Sequence, residues 1–299
     1  MHPTHFAVLV SDASQGVTAG RERLLQDALA ASTSDVGVPR WLAPHIAVEV
    51  PFATPGAPPS SDDLRAALGE EPIDVAIVPA AGRRKRLLIA DMDSTIVIGE
   101  TLDELADEAG IKDKVAEITA RAMNGEIDFK GALRERVALL AGLPAAALDR
   151  TYERVRLMPG AQTLVHTMRA NGAYALLVSG GFHYSTNRIR ERAGFDEDQS
   201  NDLLLDGDRL SGRVAEPILD RDAKLAALLR ACAERGLTAA DAVAVGDGAN
   251  DLAMIQTAGL GVAYQAKPVV AAQAQVRIEH GDLTALLYLQ GYSRDEFVD

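Results

Sequence analysis

The feature that most constrains the fold is a series of short apolar runs, set apart by helix-patterned segments, that begins at residue 87. LLIA (87–90), YALLV (174–178), AVAV (242–245) and LGVA (260–263) do not alternate polar with apolar, and the shorter run Val276–Ile278 follows them. A strand that is apolar on both faces has to be covered on both faces, which calls for a parallel sheet with helices above and below it. Between the runs lie helical patterns at Ala161–Ala170, entered through Pro159-Gly160, and at 222–235 and 250–257. The pattern predicts an α/β core with a doubly wound parallel sheet, and such sheets bind ligands at the carboxyl ends of their strands.

One connection is far longer than a crossover needs. Residues 99–157 are helical in pattern throughout, whereas strand-to-helix connections usually take only a few residues. This predicts a helical cap inserted over the strand ends. Residues 203–214 place Asp206-Gly207 between apolar runs and read as a β-hairpin.

Upstream, apolar FAVLV (6–10), helical RERLLQDALAA (21–31), alternating 46–50, helical 62–68 and apolar 73–78 follow one another, with the breaker-rich loop ATPGAPPSS at 53–61. The order β-α-β-β-α-β predicts a small α+β ferredoxin-like domain. In layout it resembles the amino-acid-sensing ACT domains, which implies a sensing or dimerising module and a homodimer formed through it. Composition shifts most sharply where Ala80-Ala81-Gly82 gives way to Arg83-Arg84-Lys85-Arg86. We therefore expect domains at 1–82 and 83–299, with the basic tetrad as a solvated linker.

Composition removes several function classes. The 299 residues carry 43 acidic and 30 basic side chains, a formal net charge of −13. Such a balance argues against nucleic acid as a partner, because phosphate-backbone binding needs a basic face. The single cysteine, Cys232, lies in a helical run and reads as a buried apolar residue. The first residues, MHPTHFAVLVSD, have no basic stretch, and their apolar run is too short for a signal peptide or a membrane span. These features lead us to expect a cytoplasmic chain with no membrane partner.

The chemistry gathers at the predicted strand ends. Asp91-Met92-Asp93-Ser94-Thr95 follows the first run, Ser179-Gly180-Gly181 the second, and Gly246-Asp247-Gly248-Ala249-Asn250-Asp251 the third, with Lys224 between the last two. Strands of one parallel sheet deliver these groups to one edge. Together they offer carboxylates for a cation, a lysine for a phosphate, and a nucleophile beside flexible backbone that can cradle an anion. In this combination LLIADMDST, the strand-end serine, Lys224 and GDGAND resemble the four motifs of the haloacid-dehalogenase-like (HAD) phosphatases. DMDSTIVIGE, FKGALRERV, VSGGF and GDGANDLAM are similar to the phosphoserine phosphatase family within that superfamily, over about residues 87–287.

The resemblance implies a phosphomonoester hydrolase that converts O-phospho-L-serine and water to L-serine and phosphate, the last step of L-serine biosynthesis. It implies Asp91 as the nucleophile that becomes an aspartyl-phosphate and Asp93 as the acid that protonates the leaving oxygen and then the base that activates water; spacing alone does not say which carboxylate plays which part. Two carboxylates would repel a phosphate dianion, so a divalent cation is required. Mg²⁺ suits an oxygen set of Asp91, Asp247 and the backbone carbonyl of Asp93. Ser179, the Gly180-Gly181 backbone and Lys224 would hold the phosphoryl group, with Asn250 and Asp251 orienting Lys224 and metal-bound waters. In the family pattern Glu100 matches the residue that takes the substrate ammonium and Arg136 the one that grips its carboxylate, while Met123 and Phe129 match apolar positions lining the pocket.

Two other readings remain open at this point. Transfer of the phosphoryl group to another alcohol, such as homoserine, would use the same motifs. A phosphorylatable receiver-type signalling module would also use a strand-end aspartate, a hydroxyl, a lysine and Mg²⁺, although Asp93 and the helical insertion weigh against it.

Overall fold

We describe a computed structural model that covers residues 2–299 apart from 12, 13, 15, 34, 70, 124 and 125. The amino-terminal part contains β1 (His5–Val10), α1 (Ala19–Ser32), β2 (Asp35–Val36), β3 (Arg40–Ala43), β4 (Ala47–Ala53), α2 (Ser61–Leu68) and β5 (Asp74–Pro79). Its antiparallel sheet has the order β2-β4-β1-β5, with β3 also paired to β4. This is the expected ferredoxin-like arrangement. Helix α1 starts at Thr18, whose side chain accepts the Arg21 N–H, and α2 starts with a reciprocal Ser60–Asp63 capping box.

The alternation of β1 and β4 gives this sheet two buried faces. Ala7, Leu9, Val48, Val50 and Phe52 face Leu25, Leu29 and Leu64 of the two helices. Val8, Val10, Ala76 and Val78 instead join the core that contains Leu286, Tyr288, Leu289 and Tyr292 near the carboxyl terminus. The seam is also polar. Asp74, 2% exposed, accepts the backbone N–H groups of Glu279, His280 and Gly281.

The basic tetrad at this seam is not a solvated linker. Arg83 pairs with the buried Glu49 at 2.7 Å, donates to the Leu289 carbonyl at 2.7 Å and to the Tyr288 carbonyl at 3.2 Å. Arg84 lies over the Tyr292 ring, and Lys85 donates to the Ala240 carbonyl. A guanidinium carries several donors in a fixed plane, so one arginine ion-pairs with a buried carboxylate, which Arg40 also engages, and bonds two helix-end carbonyls, which composition alone does not reveal.

The second sheet is formed by β6 (Leu87–Ala90), β7 (Tyr174–Phe182), β8 (Glu197–Asn201), β11 (Ala242–Gly246), β12 (Leu260–Tyr264) and β13 (Val276–Ile278). Its order is β13-β12-β11-β6-β7-β8, and its pairings are parallel. Helices α7 (Ala161–Ala170), α8 (His183–Ala193), α9 (Arg221–Glu234), α10 (Leu252–Thr257), α11 (Pro268–Ala271) and α12 (Ala285–Leu289) belong to this part of the chain. Cys232 is buried, as expected. Among the described residues, no helix is long and apolar enough to cross a membrane.

The structure departs from the sequence reading at β7 and β8. Strand β7 continues through Ser179-Gly180-Gly181 to Phe182, which pairs with Asn201. Strand β8 is the polar EDQSN, an edge strand whose pairing is set by backbone hydrogen bonding to β7 and not by apolar side chains. The 99–157 insertion forms α3 (Thr101–Glu108), α4 (Lys112–Met123), α5 (Phe129–Ala138) and α6 (Ala146–Arg154), and the hairpin forms β9 (Leu203–Asp206) and β10 (Arg209–Val214). The hairpin backs the cap: Leu210 exchanges backbone hydrogen bonds with Gly142 and Leu143, and its side chain joins Leu105, Leu140 and Leu148.

Candidate active site

The chain runs outward from β6 to β7 and β8, then returns to lay β11 on the other side of β6. The carboxyl ends of β6 and β11 therefore flank the point where strand order reverses, where an open α/β sheet leaves a crevice. Asp91 follows β6 and Asp247 follows β11. Both are buried, at 6% and 8% exposed.

After Asp91 the backbone folds into a tight loop. Ile96 N–H bonds to the Met92 carbonyl, Ser94 N–H bonds to the Gly99 carbonyl, and Ser94 sits at φ 56°. This loop aims Asp93 at the start of the cap, where its Oδ1 accepts the Thr101 N–H at 2.8 Å. Lys224, on the first turns of α9, lies 2.7 Å from Asp91 Oδ1 and 2.6 Å from Asp251 Oδ1. Asp251 is fixed through its other oxygen, which accepts the Gly248 N–H at 2.9 Å. Thr95 donates to Asp247 at 3.4 Å.

On β7, Ser179 Oγ accepts the Gly181 N–H at 2.9 Å, which leaves its own proton for another acceptor. A Cβ on Gly181 would stand 3.0 Å from Ser179 Oγ and 3.2 Å from Asp93 Oδ2, so the close approach of these groups needs glycine there. The Gly180 carbonyl is held by the Asn201 amide at 2.9 Å. Against Gly180 stands the Phe129 ring of the cap, 3.2 Å from where a Cβ would be.

A cavity of about 390 Å³ gathers most of the predicted residues. Asp91, Asp93, Ser179, Gly180, Gly181, Asp247 and Asn250 reach it from the strand ends, and Glu100, Phe129 and Arg136 from the cap. Glu100 accepts a hydrogen bond from Ser94 at 2.8 Å. Lys224 is not on the wall; it is 2% exposed and is taken up by its two aspartates. Met123 closes α4, and its side chain lies outside the described residues. His183 bonds to Asp198 and is not part of the cavity lining. A larger hollow of about 670 Å³ lies at the seam around Arg65 and Arg277, but the exposed Asp62 already pairs with both arginines.

Burial and crowding set the protonation chemistry. Burial pushes Asp91 well above the usual carboxylate range, with Asp251 adding to the effect. Asp93 is pushed up to about 7, by burial first and then by Glu100. Asp247 is pushed up to about 6, by burial and then Asp251. For Lys224, burial acts to lower the pKa, but the Asp91 and Asp251 carboxylates overcome it and hold the ammonium charged.

Carboxylate oxygens of Asp91, Asp247 and Asp251 all lie within 4.8 Å of one another. Three buried carboxylates, of which only Asp91 and Asp251 pair with the Lys224 ammonium, are short of positive charge, and an all-oxygen anionic set fits a hard divalent cation. The sequence assigned Asp251 only an orienting part; its carboxylate also stands in this group. Two further residues escaped the sequence reading. Asn201 lies on the polar strand, and Lys267 lines the cavity after β12. The available signal for Lys267 was its place after an apolar run and before a helix-starting proline.

With fold and cavity in view, the class of protein is defined: the model of the haloacid dehalogenase-like hydrolases matches residues 88–256, and the chain belongs to that family. Within it the chain is 43% identical over 261 residues to a phosphoserine phosphatase of Streptomyces coelicolor, covering 85% of this chain and 63% of that protein. The match thus spans just under two thirds of that relative's length. It is 46% identical over 199 residues to a phosphoserine phosphatase of Streptococcus thermophilus, covering 67% of this chain and 93% of that protein. A crystal structure of a HAD family hydrolase from Salmonella enterica serovar Typhi superposes with a TM-score of 0.85 at 27% identity, covering 95% of this chain and 98% of that one. Family membership sets aside the receiver-type reading.

Proposed function

We propose that this chain hydrolyses O-phospho-L-serine to L-serine and inorganic phosphate, with Mg²⁺ as its working cation. The observation that carries this reading is the meeting, in one cavity, of the Asp91/Asp93 pair and Ser179 from the sheet with Glu100 and Arg136 from the cap. Its relatives in Streptomyces coelicolor and Streptococcus thermophilus bear the corresponding name.

In this mechanism the Asp91 carboxylate attacks phosphorus, forming an acyl phosphate as the bond from phosphorus to the serine oxygen breaks. Asp93 gives its proton to the departing serine oxygen. A carboxyl pushed up to about 7 is protonated often enough to do so and basic enough to take a proton back. That proton comes next from water, whose oxygen attacks the acyl phosphate, releasing phosphate and restoring Asp91. Ser179 and the Gly180 amide donate to the phosphoryl oxygens, and the Lys224 charge offsets the negative charge that builds on them. Asp91, Asp247 and the Asp93 carbonyl, with Asp251 nearby, would hold Mg²⁺, which when bound neutralises the carboxylates and the phosphate.

Glu100 takes the substrate ammonium and Arg136 its carboxylate, a pairing that selects an amino-acid phosphate over a plain ester. Phe129 closes the apolar side, Met123 matches a second apolar position of the family pattern, and the cap excludes water from the transfer. The reaction would be the last step of L-serine biosynthesis, as the family resemblance implies. Residues 1–82 and 83–299 would act as separate domains in one cytoplasmic chain, with pairing of two chains through the first.

Phosphate release from O-phospho-L-serine tests the reading, measured with Mg²⁺, with chelator, in Asp91→Asn, and against other small phosphomonoesters. Mg²⁺-dependent turnover that prefers phosphoserine and is lost in Asp91→Asn supports it. Equal turnover across the panel refutes the substrate, and no turnover refutes the chemistry.

A further inference from the structure

Lys267 sits where β12 ends and α11 begins, and its backbone N–H bonds to the carbonyl of Asp247 at 3.2 Å. It lines the same cavity as Asp91 and Asp93. Its side chain is exposed, and no ion pair or side-chain hydrogen bond among the described residues engages its ammonium. Arg136 of α5, also on the cavity wall, donates to the Ala132 carbonyl at 3.3 Å, and three further cations of α5 and α4 are held by carboxylates. Lys130 is held by Asp220 at 2.9 Å, Arg134 by Glu216 at 2.6 Å, and Arg121 by Glu135 at 2.8 Å. Lys224 is buried between two aspartates. Among the described residues Lys267 is therefore the lysine on the cavity wall, its charge acting on Asp247 without closing an ion pair, in a chain whose formal net charge is −13.

A phosphate monoester approaching such a chain meets a repulsive field, and the cavity itself adds Asp91, Asp93, Glu100 and Asp247. A cation in a cleft with low-dielectric walls concentrates field lines and raises the encounter rate of an anion. From these observations we propose that Lys267 draws the phosphate end of the substrate into the cavity and holds it beside Asp247 before transfer, as a positioning residue. The inference rests on the reading of the cavity as a phosphomonoester site.

The test compares Lys267→Gln and Lys267→Arg with the native chain, all with Mg²⁺, in phosphoserine turnover and in competitive inhibition by inorganic phosphate, across a range of ionic strength. In Lys267→Gln, kcat/KM falls about tenfold at low salt and inorganic phosphate inhibits more weakly, while kcat stays within about twofold. The salt dependence of kcat/KM flattens, and Lys267→Arg restores both the value and the dependence. Unchanged kcat/KM and phosphate inhibition would overturn the proposal. An equal fall in kcat, or a loss that arginine does not restore, would overturn it as well by placing the residue in the transfer step or in local structure. A native chain that hydrolyses no phosphomonoester and is not bound by phosphate refutes the underlying reading instead.

Discussion

Replacing Lys224 by methionine is expected to lower stability more than any surface charge change in this chain, and by an amount that depends on pH. The ammonium is 2% exposed and lies 2.7 Å from Asp91 and 2.6 Å from Asp251, which are themselves buried. Methionine matches the lysine stem in length but leaves both carboxylates without their cation. Breaking a buried ion pair from one side costs about 3–5 kcal/mol, because the remaining charge stays out of water. With a urea slope near 3 kcal/mol/M, that shifts the unfolding midpoint down by about 1–2 M. The native lysine has a raised pKa, so its contribution is complete below its unfolded value near 10.5 and constant across the acidic and neutral range. In the variant the penalty falls on Asp91, whose pKa burial already raises. A carboxylate with a raised folded pKa loses stability as pH rises above its unfolded value of about 3.9, so the penalty shrinks on acidification. Urea melts of the metal-free chain at about pH 7 and pH 5 check this. A loss under about 1 kcal/mol, or the same loss at both pH values, would refute the reasoning.

Three further outcomes follow from the same geometry. Asp93→Asn is expected to lower kcat by about 10²–10⁴-fold; the native kcat/KM should fall as pH rises through about 7, where Asp93 loses its proton, and the variant should lack that limb. Arg136→Ala is expected to lower kcat/KM for phosphoserine by about 10- to 100-fold, through loss of a charged hydrogen bond worth about 1.5–3 kcal/mol, while sparing phosphoethanolamine, which has no carboxylate. Equal losses on both substrates would mean that Arg136 supports the cap. Glu49→Ala strips the carboxylate from the buried Arg83 and should cost about 3 kcal/mol in denaturation at the seam, with kcat unchanged.

The parallel core was legible because it is locally encoded. LLIA and AVAV are apolar on both faces whatever surrounds them, and Asp91 and Asp247 follow them by chain continuity, so one edge of one sheet had to carry both. The four cap helices and the hairpin were legible for the same reason, their periodicity and turn residues being properties of short stretches. Strand β8 was not, since a polar edge strand is held by backbone bonds to one neighbour and EDQSN has no period of its own. Nor was the burial of Arg83, whose partners Glu49 and Leu289 are remote in sequence.

The sequence by itself determined the kinds of element, their order, and the chemical groups at each strand end. Only the tertiary structure decided that Asp251 closes on Asp91 and Asp247, that Phe129 rests against Gly180, and that Lys267 reaches the cavity beside Asp247. Backbone period is set by neighbours in the chain, whereas these meetings join groups far apart in sequence and depend on how whole elements pack.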